Sequence, residues 1–130
     1  MIKTKSLKQV VTVKADPHTV YETLMDDKLH SRLTGAGAVI ERRVSGSFST
    51  FDGYSTGKNL ELIADRKIMQ TWRAGDWEPG VYSKITFEFK KLKNGTQITF
   101  TQTGIPPAQF KSISKGWEDY YWKPMKKMFK

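Results

Sequence analysis

The 130-residue sequence contains no cysteine, which removes disulfide bridges, thiolate nucleophiles and cysteine zinc sites together. Histidine is nearly absent too. His18 and His30 are the only two, each is expected on the surface, and neither has a ligand-type partner at a metal-site spacing. No glycine-rich phosphate loop or nucleophile elbow occurs. Asp26 and Asp27 are adjacent, a spacing that suits capping of a helix better than an acid–base pair. No apolar run approaches the ~20 residues that span a bilayer, and the opening "MIKTKSLKQVVTVK" lacks the apolar stretch of a signal peptide. These absences lead us to expect a cytoplasmic protein with no membrane span, no catalytic residues, no metal and no cofactor.

Acidic residues are the minority. Thirteen Asp and Glu stand against 22 Lys and Arg, giving a net charge of +9 that invites acidic partners. The basic residues are dispersed, with "KKLK" (90–93) and "KPMKK" (123–127) the densest groups. The aromatics fall on apolar stripes and are not interleaved with lysine as a stacking platform would require, which argues against nucleic acid.

The pattern of the chain is that of one α+β domain over residues 1–130, without repeats or linkers. "SLKQVVTVKA" (6–15) reads as a strand with Leu7, Val11 and Val13 on one face. Asp16 then caps a helix with Pro17 at its first position, burying Val20 and Leu24 with Tyr21 and Met25. A second short helix through "DKLHSRL" ends near Gly35 and Gly37. The period then changes. "AVIERRV" (38–44), "GSFSTF" (46–51), "NLELIA" (59–64), "KIMQTWR" (67–73), "VYSKITFEFKKL" (81–92) and "TQITFTQTG" (96–104) read as an antiparallel meander of about six strands. "KNG" (93–95) suggests a type I′ hairpin turn.

The tail "SKGWEDYYWKPMKKMFK" (114–130) concentrates two Trp and two Tyr within six residues. Ile113, Trp117, Tyr120 or Tyr121, Met125 and Met128 or Phe129 recur at helical spacing, so the tail is expected to lie across the sheet as its cover. Ser112 or Ser114 is the expected cap, and Pro124 should kink the helix.

Three stretches carry a resemblance to a known family: "LKQVVTVKADPHTVYETLMD", "GSFSTFDGYSTGKNLELIADRKIMQTWRAGDWEPGVYSKITFEF" and "TGIPPAQFKSISKGWEDYYWKPMKKMF". Together they resemble the C-terminal domain of the activators of the Hsp90 ATPase, within the START/Bet v 1-like superfamily. The resemblance implies a helix-grip fold: a curved antiparallel sheet of six to seven strands, two short helices and a long C-terminal helix. It also implies a non-enzymatic co-chaperone role with an Hsp90-type chaperone as partner. Such co-chaperones also carry an N-terminal domain with an Asn- and Trp-rich activating segment, which is not found in these 130 residues.

Two candidate sites follow. Phe48, Trp72, Phe87, Phe100, Trp117, Tyr121 and Met125 can line a cavity for a hydrophobic small molecule under the last helix, or fill that space as a solid core. Trp77 can fold back as a plug or stand out as an interface anchor, in which case Arg73, Lys84, Ile105 and Pro106 join it.

Overall fold

The computed structural model describes residues 3–130. A seven-stranded antiparallel sheet is built from β1 (Lys5–Val13), β2 (Val39–Ile40), β3 (Ser47–Thr50), β4 (Ser55–Ile63), β5 (Lys67–Ala74), β6 (Ser83–Leu92) and β7 (Gly95–Ile105). Its order is β1-β7-β6-β5-β4-β3-β2: a meander from β2 to β7, onto which the first strand closes beside the last. Two helices, α1 (Pro17–Met25) and α2 (Asp27–Thr34), interrupt the sequence after β1. The helix-grip arrangement is the one the resemblance implies.

Side-chain alternation fixes which face is inside. On β6, Ser83, Ile85, Phe87 and Phe89 are buried while Lys84, Glu88 and Lys90 are exposed. The register pairs Phe87 with Phe100 and Phe89 with Ile98, so the meander presents one continuous apolar face. Irregularities between Lys5 and Leu7 and between Asn59 and Glu61 bend the sheet around its cover.

The helix starts follow their capping chemistry. Asp16 accepts from the Thr19 amide at 2.8 Å ahead of Pro17, and Asp26 accepts from the Leu29 amide at 3.0 Å. Gly35, at φ 79°, ends α2 in the left-handed conformation.

Local expectations fail where a side chain or a neighbouring strand overrides propensity. The β6–β7 hairpin turns at Lys93 and Asn94, but neither has positive φ, so the turn is not type I′. The glycine serves β1 instead, because a Cβ at Gly95 would sit 2.1 Å from the Val13 carbonyl oxygen. The run 38–44 keeps only two residues as strand. Beyond Ile40 the chain loops, held by the buried Asn59 side chain, whose Nδ2 donates to the Glu41 and Arg43 carbonyls at 2.7 and 3.1 Å.

The C-terminal helix starts earlier than its serines suggested. A 3₁₀ turn (Pro107–Gln109) runs into α3 (Phe110–Trp117), leaving Ser112 and Ser114 inside the helix. A π turn (Glu118–Trp122) follows, then α4 (Lys123–Met128). The π turn is the structural answer to Pro124, which brings no N–H and whose ring crowds the preceding turn. Widening that turn by one residue, with the Lys123 amide donating to the Glu118 carbonyl, lets the helix continue past the proline.

Candidate functional site

The space between sheet and helix is packed. Phe100, Trp117, Tyr121 and Trp122 form a contiguous aromatic stack, with Phe100–Trp117 centroids at 4.3 Å and Trp117–Tyr121 at 4.5 Å. Only about 20 Å³ remains open at its heart, lined by Phe48, Trp72, Phe87, Trp117 and Tyr121 among others. Ligand cavities run to roughly 300–1,000 Å³, so this space suits one water. Of the seven cavity candidates, these five border it, whereas Phe100 and Met125, each 0% exposed, are ordinary core residues.

Polar groups thread this core in two chains. Trp117 Nε1 donates to Gln102 Oε1 at 2.8 Å, Gln102 Nε2 to Ser83 Oγ at 2.9 Å, and Ser83 Oγ to the Trp72 carbonyl at 2.8 Å. The helix is thereby pinned to β7, β6 and β5 in turn. The second chain contains His30, which is buried, contrary to the expectation of a surface histidine. Its Nδ1 lies 2.9 Å from the Leu24 carbonyl, which can only accept, so Nδ1 carries the proton. Nε2 is then the acceptor for the Tyr121 hydroxyl at 2.9 Å. Burial holds the His30 pKa below its ordinary value and pushes the Tyr121 phenol well up. His18 is exposed, and its pKa is raised by a hydrogen bond to Asp65.

Beside the filled core, at the end of the sheet, lies an open groove of about 400 Å³. Its walls are Phe51, Tyr54, Ile113, Gly116, Trp117 and Tyr120, with Trp72 and Tyr121 at its floor. One wall is a strained turn in which Phe51, Asp52 and Gly53 have φ of 52°, 57° and 93°. Positive φ at a residue as bulky as phenylalanine costs ~1–3 kcal/mol and persists only under external constraint. Here Asp52 exchanges hydrogen bonds with Gly37, and the Tyr54 hydroxyl donates to Asp76 at 3.1 Å. The opposite wall includes Tyr120 of the π turn, a feature frequent at functional sites. Gly116 sits in mid-helix with room for a methyl group: a Cβ there would meet nothing nearer than Tyr120 Cδ2 at 3.9 Å. Its retention forgoes ~0.5–1 kcal/mol of helix propensity and leaves the groove open.

The interface candidates separate. Trp77 is 5% exposed and packs edge-on against Trp72 at 5.4 Å, so it is a plug, and Ile105 at 0% exposure is core. Neither presents a side chain to a partner. Arg73 and Pro106 are half-buried and Lys84 is exposed. The Arg73 guanidinium donates to the Trp77 and Glu78 carbonyls, tying down the loop that carries the plug. Sequence reading missed the groove because no pattern marks it. Left-handed φ at Phe51 and the outward turn of Tyr120 arise only when the strained turn and the helix meet. Among the described residues no cluster of three metal-ligating side chains occurs, and no helix is long and apolar enough to cross a membrane.

A family model described as "Activator of Hsp90 ATPase homolog 1-like protein" matches residues 14–130. An uncharacterized protein of Schizosaccharomyces pombe is 30% identical over 129 residues, covering 99% of this chain and 38% of that protein. The activator of 90 kDa heat shock protein ATPase homolog of Dictyostelium discoideum is 32% identical over 116 residues, covering 88% of this chain and 30% of that protein. The chain thus spans about a third of the length of the curated relatives it matches. Among solved structures, an HSP90 activator from Plasmodium falciparum superposes with a TM-score of 0.90 at 25% identity, covering 95% of this chain and 94% of that one.

Proposed function

The chain belongs to the activator of Hsp90 ATPase homolog 1-like family, and on that premise we propose that it is a non-enzymatic binding module for an Hsp90-type chaperone that favours the chaperone's ATPase-competent state. The observation that supports this most directly is the likeness to the Plasmodium falciparum activator, which extends over nearly the whole of both chains. A filled core agrees with a role played by the protein's surface. To stimulate hydrolysis, the module must bind the closed chaperone conformation more tightly than the open one, since a ligand shifts an equilibrium only by its differential affinity. A net charge of +9 speeds encounter with an acidic chaperone surface and makes association salt-sensitive. The test is the ATPase rate of the host's own Hsp90, titrated with this protein at low and moderate salt. A saturable, salt-sensitive rise is expected; an unchanged rate with no binding overturns the reading.

The groove favours a second reading, in which a hydrophobic small molecule seats against Trp117 and Tyr120. Its volume of about 400 Å³ and aromatic walls suit such a ligand, and Ser55 and Ser112 offer polar handles. Binding of an apolar fluorescent probe, read by quenching of tryptophan emission, tests it.

A further inference from the structure

Among the described residues no element packs on the outer face of the sheet, since the strands bury their other face against the helices. It is a lattice of threonine and lysine. The cross-strand register sets Thr103 beside Lys84, Lys84 beside Thr71, Thr101 beside Lys8 and Thr101 beside Thr86. The Lys58 amide donates to Thr71 Oγ1, so Lys58 and Lys84 flank one threonine from adjacent strands, roughly 10 Å apart at two strand spacings.

Carboxylates are few on this face, whereas acidic and basic side chains alternate over much of the remaining surface. Around α1 and the β2–β3 loop, Arg42 pairs with Glu22 and Arg43 with Glu41. On the C-terminal helix, Asp119 holds both Lys115 and Lys123. On the sheet face, Glu61 is taken by Lys67, while Lys8, Lys58, Lys84 and Lys90 have no ion-pair partner among the described residues. Glu88 is the one other carboxylate set among them. Thr71, Thr86, Thr99, Thr101 and Thr103 occupy much of the rest of the face, beside Val10, Met69 and Gln97, with short, stiff hydrogen-bonding groups that add no negative charge.

We propose that this outer face, centred on Lys8, Lys58 and Lys84, is the docking surface for an acidic protein surface, that of the chaperone. The proposal rests on the co-chaperone reading and adds where contact is made. A protein partner fits better than the other polyanions. Tyr82, exposed beside Lys84, already has the Arg73 guanidinium over its ring at 5.9 Å, which leaves nucleic acid bases a poor stacking surface. The exposed Val10 and Leu60 stand singly on separate strands, which suits a protein contact better than insertion into a bilayer. A convex, threonine-rich sheet face offers instead the hydrogen-bonding groups of a protein–protein contact.

The test compares two triple variants of equal net charge. K8E/K58E/K84E alters the face; K111E/K126E/K127E alters the C-terminal helix. Binding to the host Hsp90 and stimulation of its ATPase are measured at low salt, with circular dichroism as the check on folding. The milder K8Q/K58Q/K84Q serves if the reversed face disturbs the sheet. The face variant should weaken binding by about tenfold or more, and the helix variant by less than about threefold. Equal losses would mean that only total charge matters and would overturn the proposal. If wild type binds and activates but the face variants match it, the docking surface is wrong and the co-chaperone reading stands. If wild type neither binds nor activates, both fall. Tighter binding of wild type to duplex DNA or phosphatidylserine vesicles than to Hsp90, lost in the face variant, would overturn the protein partner.

Discussion

The imidazole of His30 on α2 accepts a hydrogen bond from the hydroxyl of Tyr121, 91 residues away on the π turn, at 2.9 Å with both groups buried. The contact joins the first helical layer to the last, on a ring whose tautomer is fixed by the Leu24 carbonyl at Nδ1. It also makes stability depend on pH. Burial, the main influence, lowers the His30 pKa, while the Leu24 carbonyl and Asp27 act the other way. In the unfolded chain the ring takes a proton near pH 6.5. Below that pH the unfolded state binds more protons than the folded one, so stability falls as pH drops from about 6.5 towards the lowered folded value. Urea unfolding at pH 7.5, 6.5 and 5.5 should show this loss, and His30→Gln should flatten it. His18 works in the opposite sense. Its raised pKa contributes stability that is complete below about pH 6.5 and is lost as pH rises through the folded value. His18→Gln should therefore steepen the acid-side loss in the wild-type background.

The relay from Trp117 through Gln102 to Ser83 predicts a cost out of proportion to the volume changed. Gln102→Leu nearly preserves size but leaves the buried Trp117 N–H without an acceptor. A buried donor stranded in this way costs ~1–3 kcal/mol. Chemical denaturation should register it as a lower midpoint with an unchanged slope. A variant as stable as wild type would mean that the indole finds another acceptor.

Two glycines should respond to alanine with opposite signs. At Gly57 on β4 a Cβ would sit 1.8 Å from the Thr71 carbonyl oxygen and 2.8 Å from the Phe48 ring. The backbone of β5 cannot yield that distance, so Gly57→Ala should cost at least the ~1–3 kcal/mol of an overpacked core and is expected to abolish soluble expression or cooperative unfolding. At Gly116 the space is free and the backbone helical, so Gly116→Ala should raise stability by ~0.5–1 kcal/mol. Thermal unfolding of the two variants side by side checks both signs.

These examples mark how far the sequence could be read. Alternation in 81–92 placed Ile85, Phe87 and Phe89 inward, and Asp16–Pro17 gave the start of α1, because each depends on neighbours in the chain. The stripe through Ile113, Trp117 and Met125 gave the cover of the sheet for the same reason. His30 was misplaced because a polar residue is buried only when distant partners satisfy it, and Tyr121 is distant. Trp77 was left between plug and anchor for want of its contact with Trp72. The π turn follows from Pro124, but only together with tertiary packing that holds both flanking helical segments on one sheet. Without that packing the proline would simply end the helix.

The groove yields the last prediction. Gly116→Leu would project a branched side chain into it from an already helical position, at no cost in propensity and with nothing nearer than Tyr120 in the way of its Cβ. Tyr120→Ala, at a residue 57% exposed, would remove one wall without disturbing the core. Both variants should keep the wild-type unfolding midpoint to within a few degrees. If an apolar molecule or partner side chain seats in the groove, an anilinonaphthalene dye should brighten with wild type and lose most of that signal with Gly116→Leu. It should lose a smaller part with Tyr120→Ala, because the Trp117 and Ile113 surfaces remain. Dye binding that neither variant alters would place the dye elsewhere and leave the strained turn at Phe51 without a ligand to explain it. Loss of Hsp90 stimulation in Gly116→Leu, at unchanged stability, would instead identify the groove's occupant as a side chain of the chaperone.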